Sequence, residues 1–195
     1  MEWKLLAWGL RRKPAPLPRL WLFTDDRRLP DPRASVACLP RGRAGVVLRH
    51  DHDPARASLG HDLARICRAR RLVLVVAGDV RLAAALRAGV HLRNGYRTGP
   101  VLTRGVTTSS AHSIPDLLRA RRARAGLVFL SPAFATASHA GAPSLGPLRW
   151  AAIARGCVLS SPAIAALGGV DGRTIERLPS RLFQAVGAIG ALSAG

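Results

Sequence analysis

The sequence predicts an α/β protein of the (β/α)₈ TIM-barrel class, in a compact form. Eight short apolar runs read as buried strands, helical segments lie between several of them, and 195 residues suit one domain. Strands that alternate with helices pair in parallel through right-handed crossovers, and a count of eight favours a closed barrel over an open sheet. The predicted strands occupy residues 20–24, 45–49, 72–77, 90–92, 101–106, 127–131, 163–167 and 185–192.

The predicted helices occupy residues 54–70, 79–88, 113–125 and 145–155. Asp53 and Ser113 each precede an early proline, so both are expected to begin a helix. The sequence stops at the eighth strand, whereas such barrels usually have about 250 residues and a final helix. We therefore divide the chain into a barrel at residues 20–195, with its C-terminal helix apparently missing, and an N-terminal extension at residues 1–19. The apolar segment 1–18 is expected to pack as a helix over the gap.

The formal net charge of +19 is carried almost entirely by arginine, since Lys4 and Lys13 are the only lysines. Clustered arginine can indicate a nucleic-acid partner. Here the arginines are spread along the whole chain, and aromatic residues make up only 5% of it. This pattern favours solvated arginine-rich faces over nucleic-acid binding, which stays as the weaker alternative.

Cellular location is expected to be the cytoplasm. The three cysteines, Cys38, Cys67 and Cys157, are far apart and show neither disulfide nor metal-ligand spacing. A membrane-spanning helix needs about 20 apolar residues, and no such run occurs. The first residues place apolar side chains before basic ones, the reverse of a secretory signal, although contact with a membrane surface remains an alternative for this segment.

The sequence also lacks the motifs that bind nucleotide cofactors.

Three loops of small and hydroxyl residues follow predicted strands in the C-terminal half, at residues 131–141, 166–170 and 187–193. TIM barrels hold phosphate in the loops after strands seven and eight. Glycine suits such loops because a missing Cβ lets backbone N–H groups approach phosphate oxygens closely. The pair Gly168 and Gly169 is by itself an ordinary turn signal, but its place in the strand order predicts a phosphate pocket.

The sequence resembles the family of thiamine-phosphate synthase and its relative, the thiazole tautomerase TenI, from about Leu20 to Ser193. Six pieces in the right order carry the resemblance. They are Leu22-Phe23-Thr24-Asp25, Gly89-Val90-His91-Leu92, Ser110-Ala111-His112-Ser113, the segment Ser131 to His139, Ala166-Leu167-Gly168-Gly169-Val170, and the closing Gly187-Ala188-Ile189-Gly190.

The resemblance implies a transferase of thiamine biosynthesis that joins hydroxymethylpyrimidine diphosphate to thiazole phosphate and releases pyrophosphate. It implies that Mg²⁺ and cationic side chains stabilise the departing diphosphate. Arg49 matches an arginine that faces the diphosphate, and Ser110 matches a serine near the pyrimidine. The residues implied to bind the substrate phosphate are Thr136, Ser138, Gly168, Gly169, Leu192 and Ser193. A homo-oligomer is also implied.

Several positions depart from the family pattern. The family has Gln-x-Arg-x-Lys after strand two, and this chain has Val47-Leu48-Arg49-His50-Asp51. The Asn-Asp after strand three is replaced by Ala77-Gly78, and Gly-Gln-x-Asp after strand four by Arg93-Asn94-Gly95-Tyr96. Both carboxylates that bind magnesium in the family pattern are thereby lost. Asp79, one residue after the family's position, is the candidate metal ligand. Alternatively, Arg93 and Arg97 could neutralise a diphosphate without metal.

These departures leave open whether the chain is an enzyme. The first hypothesis is a thiamine-phosphate synthase with an altered diphosphate site, and the alternative is a regulatory or binding protein that holds thiazole phosphate or thiamine phosphate without the synthase reaction. Pro132 stands where the tautomerase has its histidine, which excludes proton transfer by that residue. His139 is the favoured general acid or base because it lies in the phosphate-facing loop, ahead of His91 and His112.

Overall fold

Eight parallel strands close into a barrel in a computed structural model that describes residues 1–13, 15–97, 105–136, 143–156 and 162–194. Each strand pairs with the next along the chain, and β8 closes the barrel on β1 with Leu20 beside Val186. The predicted fold class is confirmed. The strands are β1 (Leu20–Phe23), β2 (Ala44–Leu48), β3 (Val73–Ala77), β4 (Gly89–Leu92), β5 (Thr107–Ala111), β6 (Leu127–Leu130), β7 (Ala163–Ala166) and β8 (Ala185–Ala188).

Helices precede or connect most of these strands. They are α1 (Trp3–Arg11), α2 (Arg33–Cys38), α3 (Arg56–Arg70), α4 (Val80–Ala85), α5 (Ile114–Arg122) and α6 (Gly146–Arg155). Short 3₁₀ helices at Thr174–Arg177 and Ser180–Leu182 connect β7 to β8, and a third at Gly190–Leu192 follows β8. Strands buried on both faces produce the continuous apolar runs seen in the sequence.

Aromatic rings fill the barrel interior. Phe23 and Phe129 meet edge to face with ring centroids 4.8 Å apart, and Trp21 contacts Phe129 in the same way at 5.6 Å. His91 on β4 lies 5.6 Å from Phe23, and its Nδ1 is 2.9 Å from the Thr108 hydroxyl. This packed centre is the floor beneath the loops at the carboxyl ends of the strands.

The predicted position of the fifth strand, 101–106, is wrong. The strand is β5, Thr107–Ala111, whereas residues 101–104 lie outside the described part of the chain. Hydropathy misplaced it because β5 carries four hydroxyl residues in a row. Their small side chains fit the barrel wall, where Thr108 and Ser109 are fully buried and hydrogen-bonded.

The two expected helix starts have different outcomes. The Ser113 hydroxyl accepts a hydrogen bond from the Asp116 N–H at 3.4 Å, which confirms it as the cap of α5. Asp53 is not a helix cap, because its carboxylate accepts from the Ala55 N–H within a turn and α3 begins only at Arg56. The short helix α2 was not predicted.

The helix α1 lies along the outside of the barrel beside β8. At one end the Glu2 N–H donates to the Ala191 carbonyl at 2.8 Å, and the Glu2 carboxylate accepts from the Gly172 N–H at 2.9 Å. Towards the other end Trp8 stacks on Phe183 with ring centroids 5.5 Å apart. This is where the helix after the eighth strand usually lies, so the stabilising role expected of residues 1–18 stays a prediction that deletion would test.

None of the described helices has the length and apolar character of a membrane span. Cys67 is buried in α3, and burial raises the pKa of its thiol to about 12, as expected for a core side chain without reactivity. Cys38 is exposed, and Cys157 lies outside the described residues.

Candidate functional site at the carboxyl end of the barrel

The carboxyl ends of parallel strands meet at one end of a barrel, so the residues that follow the strands form a common mouth. On the β2–β4 side this mouth is made by charged side chains. On the β6–β8 side it is made by main chain and glycine. We call these two regions the charged side and the main-chain side.

Arg49 enters the charged side directly after β2. Its N–H donates to the Thr24 hydroxyl oxygen at 3.0 Å, and that oxygen lies 2.9 Å from His50 Nδ1. Since the Pro30 carbonyl can only accept, His50 Nε2 at 3.1 Å carries a proton, and in the neutral ring Nδ1 accepts from Thr24. This buried chain of hydrogen bonds fixes the main chain of Arg49. The Arg49 guanidinium lies 3.8 Å from the Asp25 carboxylate.

Asp51 links two arginines on the same side of the mouth. Its carboxylate lies 2.5 Å from an Arg93 nitrogen and 3.4 Å from an Arg56 nitrogen. Arg56 also donates to the Ala77 carbonyl at the end of β3, at 2.6 Å. The loops after β2 and β4 are therefore tied together by charge across the end of β3.

His91 lies on β4, two residues before Arg93, and is buried in the barrel interior. Burial lowers the pKa of His91 to about 3, and the positive charges of Arg49 and Arg93 contribute to the shift. The imidazole is therefore neutral at physiological pH. Both guanidinium groups are therefore near enough to His91 to act on it electrostatically.

Ser110, on β5, is engaged by the loop after β4. Its hydroxyl accepts from the Asn94 N–H at 3.1 Å and donates to the Asn94 side-chain oxygen at 3.3 Å. The structure thus brings Ser110 and Arg93 to neighbouring strand ends. The role of Ser110 towards a substrate stays a prediction.

The main-chain side joins the loops after β6 and β7. Ala133 donates to the Leu167 carbonyl at 2.8 Å, and Phe134 donates to the Gly168 carbonyl at 3.0 Å. Gly168 and Gly169 both have positive φ, and a Cβ on Gly168 would come within 2.8 Å of the Pro132 Cα. Only glycine permits this conformation and this close approach. Both glycines therefore have a packing role beside their predicted contact with phosphate.

The hydroxyl loop after β6 is described as far as Thr136, which is half-buried. The predicted phosphate ligand Ser138 and the favoured acid or base His139 lie outside the described residues. Their roles stay predictions, as does that of Thr136.

After β8, the two predicted phosphate-binding residues close a 3₁₀ turn. The Leu192 N–H donates to the Ile189 carbonyl at 3.2 Å, and the Ser193 N–H donates to the Gly190 carbonyl at 3.1 Å. The Ser193 hydroxyl donates to the Ile189 carbonyl as well. These donors already have acceptors within the chain, so their predicted phosphate contacts would require the turn to rearrange. Gly187 lies inside β8 and not in the loop.

Sequence reasoning missed Arg28 and ranked His112 below His139. An Arg28 guanidinium nitrogen is 3.7 Å from the position a Cβ would take on Gly190, which brings a cation to the main-chain side. His112 Nδ1 donates to the Ser131 carbonyl at 2.8 Å, so its neutral ring leaves Nε2 as an acceptor at an exposed position. For Arg28, the sequence signal that could have found it is the Arg27-Arg28 pair after β1.

Comparison with known proteins decides the family. The sequence pattern of thiamine monophosphate synthase matches residues 22–192. The chain belongs to this family. No curated protein matches the chain. Among solved structures, a thiamine phosphate pyrophosphorylase from Pyrococcus furiosus is similar, with a TM-score of 0.73, 20% identity, and coverage of 90% of this chain and 88% of that one.

Two further structures share the fold. A thiamine phosphate pyrophosphorylase from Bacteroides thetaiotaomicron has a TM-score of 0.59 at 18% identity, with 90% of this chain and 84% of that chain covered. FabK from Thermotoga maritima has a TM-score of 0.64 at 12% identity, with 90% and 58% covered. At these identities the structural likeness supports the barrel, and the family assignment comes from the sequence match.

The charged side does not fit the magnesium ion that the family resemblance implies. Mg²⁺ is usually held by one or two carboxylates plus substrate phosphates. Gly78 and Tyr96 stand at the two carboxylate positions, and the Arg93 guanidinium lies against Gly78. The Asp79 carboxylate caps α4 by accepting from the Leu82 N–H at 2.9 Å. Within the described ranges, no group of three or more His, Cys, Asp or Glu side chains could hold a metal ion.

Proposed function

We propose that this member of the thiamine monophosphate synthase family binds thiazole phosphate or thiamine phosphate at the carboxyl end of the barrel and does not carry out the magnesium-dependent synthase reaction. The ligand's phosphate would lie on the main-chain side, and its heterocycle would extend over the barrel axis above His91. The proposal assigns the chain a binding or regulatory role in thiamine metabolism.

The main-chain side supports the binding part of the proposal. Gly168 and Gly169 place two strand-end loops in close contact, and the structure shows no described acceptor for their N–H groups. Such N–H groups suit an anionic oxygen. The guanidinium of Arg28 lies over the neighbouring loop after β8 and adds positive charge there.

The ion pair between Asp51 and Arg93 carries the second part of the proposal, which is that the chain does not carry out the synthase reaction. Asp51 stands at the position where the family resemblance places a lysine towards the diphosphate. A carboxylate there repels a diphosphate and occupies the arginine that would attract it. The glutamine that would bind the pyrimidine is replaced by Val47, which is fully buried and has no polar group to offer.

The synthase reaction is the second candidate, and Arg49 favours it. This arginine matches the family position, its main chain is fixed by Thr24, and its guanidinium acts electrostatically on the buried His91. A synthase working in this mouth would have to stabilise the leaving diphosphate largely with arginine.

The test is equilibrium binding followed by turnover, with the same protein. Isothermal titration calorimetry with thiazole phosphate is expected to show saturable one-to-one binding. Thr136→Val is expected to weaken it, whereas Ser58→Ala, which removes an exposed hydroxyl on α3, should leave it unchanged. Incubation with both synthase substrates and Mg²⁺ should then yield no thiamine phosphate. Product formation would overturn the binding-only proposal in favour of the synthase, and a chain that binds neither thiazole phosphate nor thiamine phosphate in the same titration would contradict the binding proposal.

A further inference from the structure

The helix α1 presents an apolar stripe to the solvent. Trp3 and Leu10 are seven residues apart in the helix, which places them on one face of it. Both are exposed, Trp3 to 69% and Leu10 to 44%, and Ala7 lies half-buried between them. The opposite face, with Leu5 and Gly9, is buried against the barrel. The packing of α1 on the barrel therefore leaves this stripe exposed.

Basic side chains border the apolar stripe. Lys4 and Arg11 are exposed, and each comes one residue after an end of the stripe. The sequence from residue 3 to residue 13 contains no acidic residue. The carboxylate of Glu2, just before the helix, accepts from the Gly172 N–H at 2.9 Å. The exposed face of α1 is therefore both apolar and cationic.

More positive charge lies at the C-terminal end of α1. Arg43 donates to the carbonyl groups of Leu10 and Arg12, at 3.2 and 3.0 Å, and Arg19 donates to the Lys13 carbonyl at 3.0 Å. Cations suit a helix C-terminus, whose carbonyl groups lack partners within the helix. Burial and the nearby charge of Arg19 lower the pKa of Arg12, so these cations are close together. None of these basic residues takes part in an ion pair that the structure describes.

This combination of side chains fits the surface of an anionic membrane. Tryptophan and leucine enter the headgroup region of a bilayer, and lysine and arginine are attracted to anionic headgroups. A second copy of the chain fits less well, because it would bring another net charge of +19 to the same face. Nucleic acid would neutralise the cations but would leave the apolar stripe in water.

We propose that α1 binds anionic membrane surfaces, with Trp3 and Leu10 among the lipid headgroups and with Lys4 and Arg11 on the lipid phosphates. The helix would lie in the plane of the surface, since its nine residues are too few to span a bilayer. The inference goes beyond the proposed function and does not depend on it, because the site at the barrel mouth contains no residue of α1. The two can therefore fail separately.

The experiment is sedimentation of the 195-residue chain with vesicles of phosphatidylcholine, either pure or with about one third phosphatidylserine. Binding is expected on the vesicles that contain phosphatidylserine, and it should weaken as salt screens the charges. Trp3→Ala is expected to weaken binding about tenfold, and Leu10→Ala and Arg11→Ala about fivefold each. Equal binding to the two kinds of vesicle, or no binding to either, would overturn the inference.

Matched control variants lie on α5, which packs on β5 and away from β8. Leu118 is 45% exposed, nearly the same as Leu10, and Arg122 ends α5 as Arg11 ends α1. Leu118→Ala and Arg122→Ala are therefore expected to leave vesicle binding unchanged. Equal losses in the α1 and α5 variants would overturn the inference, since they would reflect the overall composition of the surface and not this helix.

Tryptophan fluorescence provides a second measurement, which can be made on the wild type. Trp3 is the exposed member of the four tryptophans, since Trp21 and Trp150 are fully buried and Trp8 is half-buried. The Trp3 emission is expected to shift to shorter wavelength on vesicles and to be quenched by brominated lipids. Trp3→Phe should lose this signal and keep most of the binding, because an apolar ring is retained. Binding without quenching in the wild type would contradict the insertion of Trp3.

Other occupants of the stripe give different results. Dimers that form without lipid and dissociate in Leu10→Ala, measured by sedimentation velocity, would assign the stripe to a second copy of the chain and overturn the inference. Binding to duplex DNA without binding to vesicles would overturn it in favour of nucleic acid. Circular dichroism checks that each variant is folded. Thiazole phosphate binding should be the same in Leu10→Ala and the wild type, which separates this result from the test of the proposed function.

Discussion

The two sides of the barrel mouth are held together by different kinds of interaction. On the main-chain side, backbone hydrogen bonds and positive-φ glycines lock the loops after β6 and β7 together. On the charged side, Asp51 holds Arg56 and Arg93 by ion pairs between side chains. A site formed by main-chain atoms keeps its geometry under most substitutions. The chemistry of a site formed by side chains can be changed by a few substitutions. Under the proposed function, this difference accounts for a phosphate site that is kept on the main-chain side and for the changed chemistry on the charged side.

The largest expected effect concerns His91 beneath the charged side. Its pKa of about 3 lies below the ordinary value of 6.5, so between these values the unfolded chain binds a proton that the native chain does not. This stability contribution is complete above pH 6.5 and is lost as pH falls towards 3, by about 1.4 kcal/mol per pH unit. Urea unfolding between pH 7 and 4 would measure it. In the His91→Gln variant the free energy of unfolding should fall less steeply with pH over this range. An unchanged pH dependence would contradict the low pKa of His91.

The same histidine also reports on the arginines above it. Removing either guanidinium takes away a positive charge that lowers the His91 pKa, so Arg93→Ala is expected to raise it. Titration of the imidazole by NMR measures the shift directly. If the His91 pKa were the same in the wild type and the variant, Arg93 would not act electrostatically on His91.

The next effect tests the main-chain side. Gly169→Ala forces an alanine into a positive-φ position where its Cβ would also contact the Phe134 Cβ at 2.8 Å. Gly42 is a matched control, because it has a similar φ of +67° but nothing within 4 Å of the Cβ position. We expect about 1–2 kcal/mol of destabilisation for Gly42→Ala and about 1–3 kcal/mol more for Gly169→Ala. Equal losses on thermal unfolding would show that the two loops are not in close contact.

The smallest effect separates two roles for Asp79. As the cap of α4, Asp79→Ala should cost about 1 kcal/mol of stability, and Asp79→Asn should cost much less because asparagine caps equally well. Thermal unfolding of both variants provides the measurement. A metal ligand would behave differently, since asparagine is a poor substitute for a carboxylate on Mg²⁺. A Mg²⁺-dependent gain in stability that Asp79→Asn abolishes would therefore contradict the capping role.

The fold could be predicted from the sequence because buried parallel strands leave apolar runs and glycines mark the loops between them. The fifth strand could not be predicted, because its hydroxyl side chains are polar and their hydrogen-bond partners are distant in the sequence. Thr108, for example, is hydrogen-bonded to His91, which is 17 residues away. For Asp79 the capping signal was available in the sequence, because an aspartate before a helix is typical of caps.

The site was predicted only in outline. Arg49 and the glycine pair could be placed at strand ends from the strand order alone. The pairing of Asp51 with Arg93 could not, because it depends on the directions of two side chains from separate loops. The same limit hid the approach of Arg28 to Gly190.

The most direct measurement is a crystal structure grown with thiazole phosphate, pyrophosphate and Mn²⁺, in which anomalous scattering locates any bound metal. The account predicts that the phosphate group of thiazole phosphate lies on the main-chain side of the mouth and that no manganese is bound to the protein. Manganese held between pyrophosphate and the carboxylate of Asp79 or Asp51 would contradict it and would restore a metal-dependent transferase site.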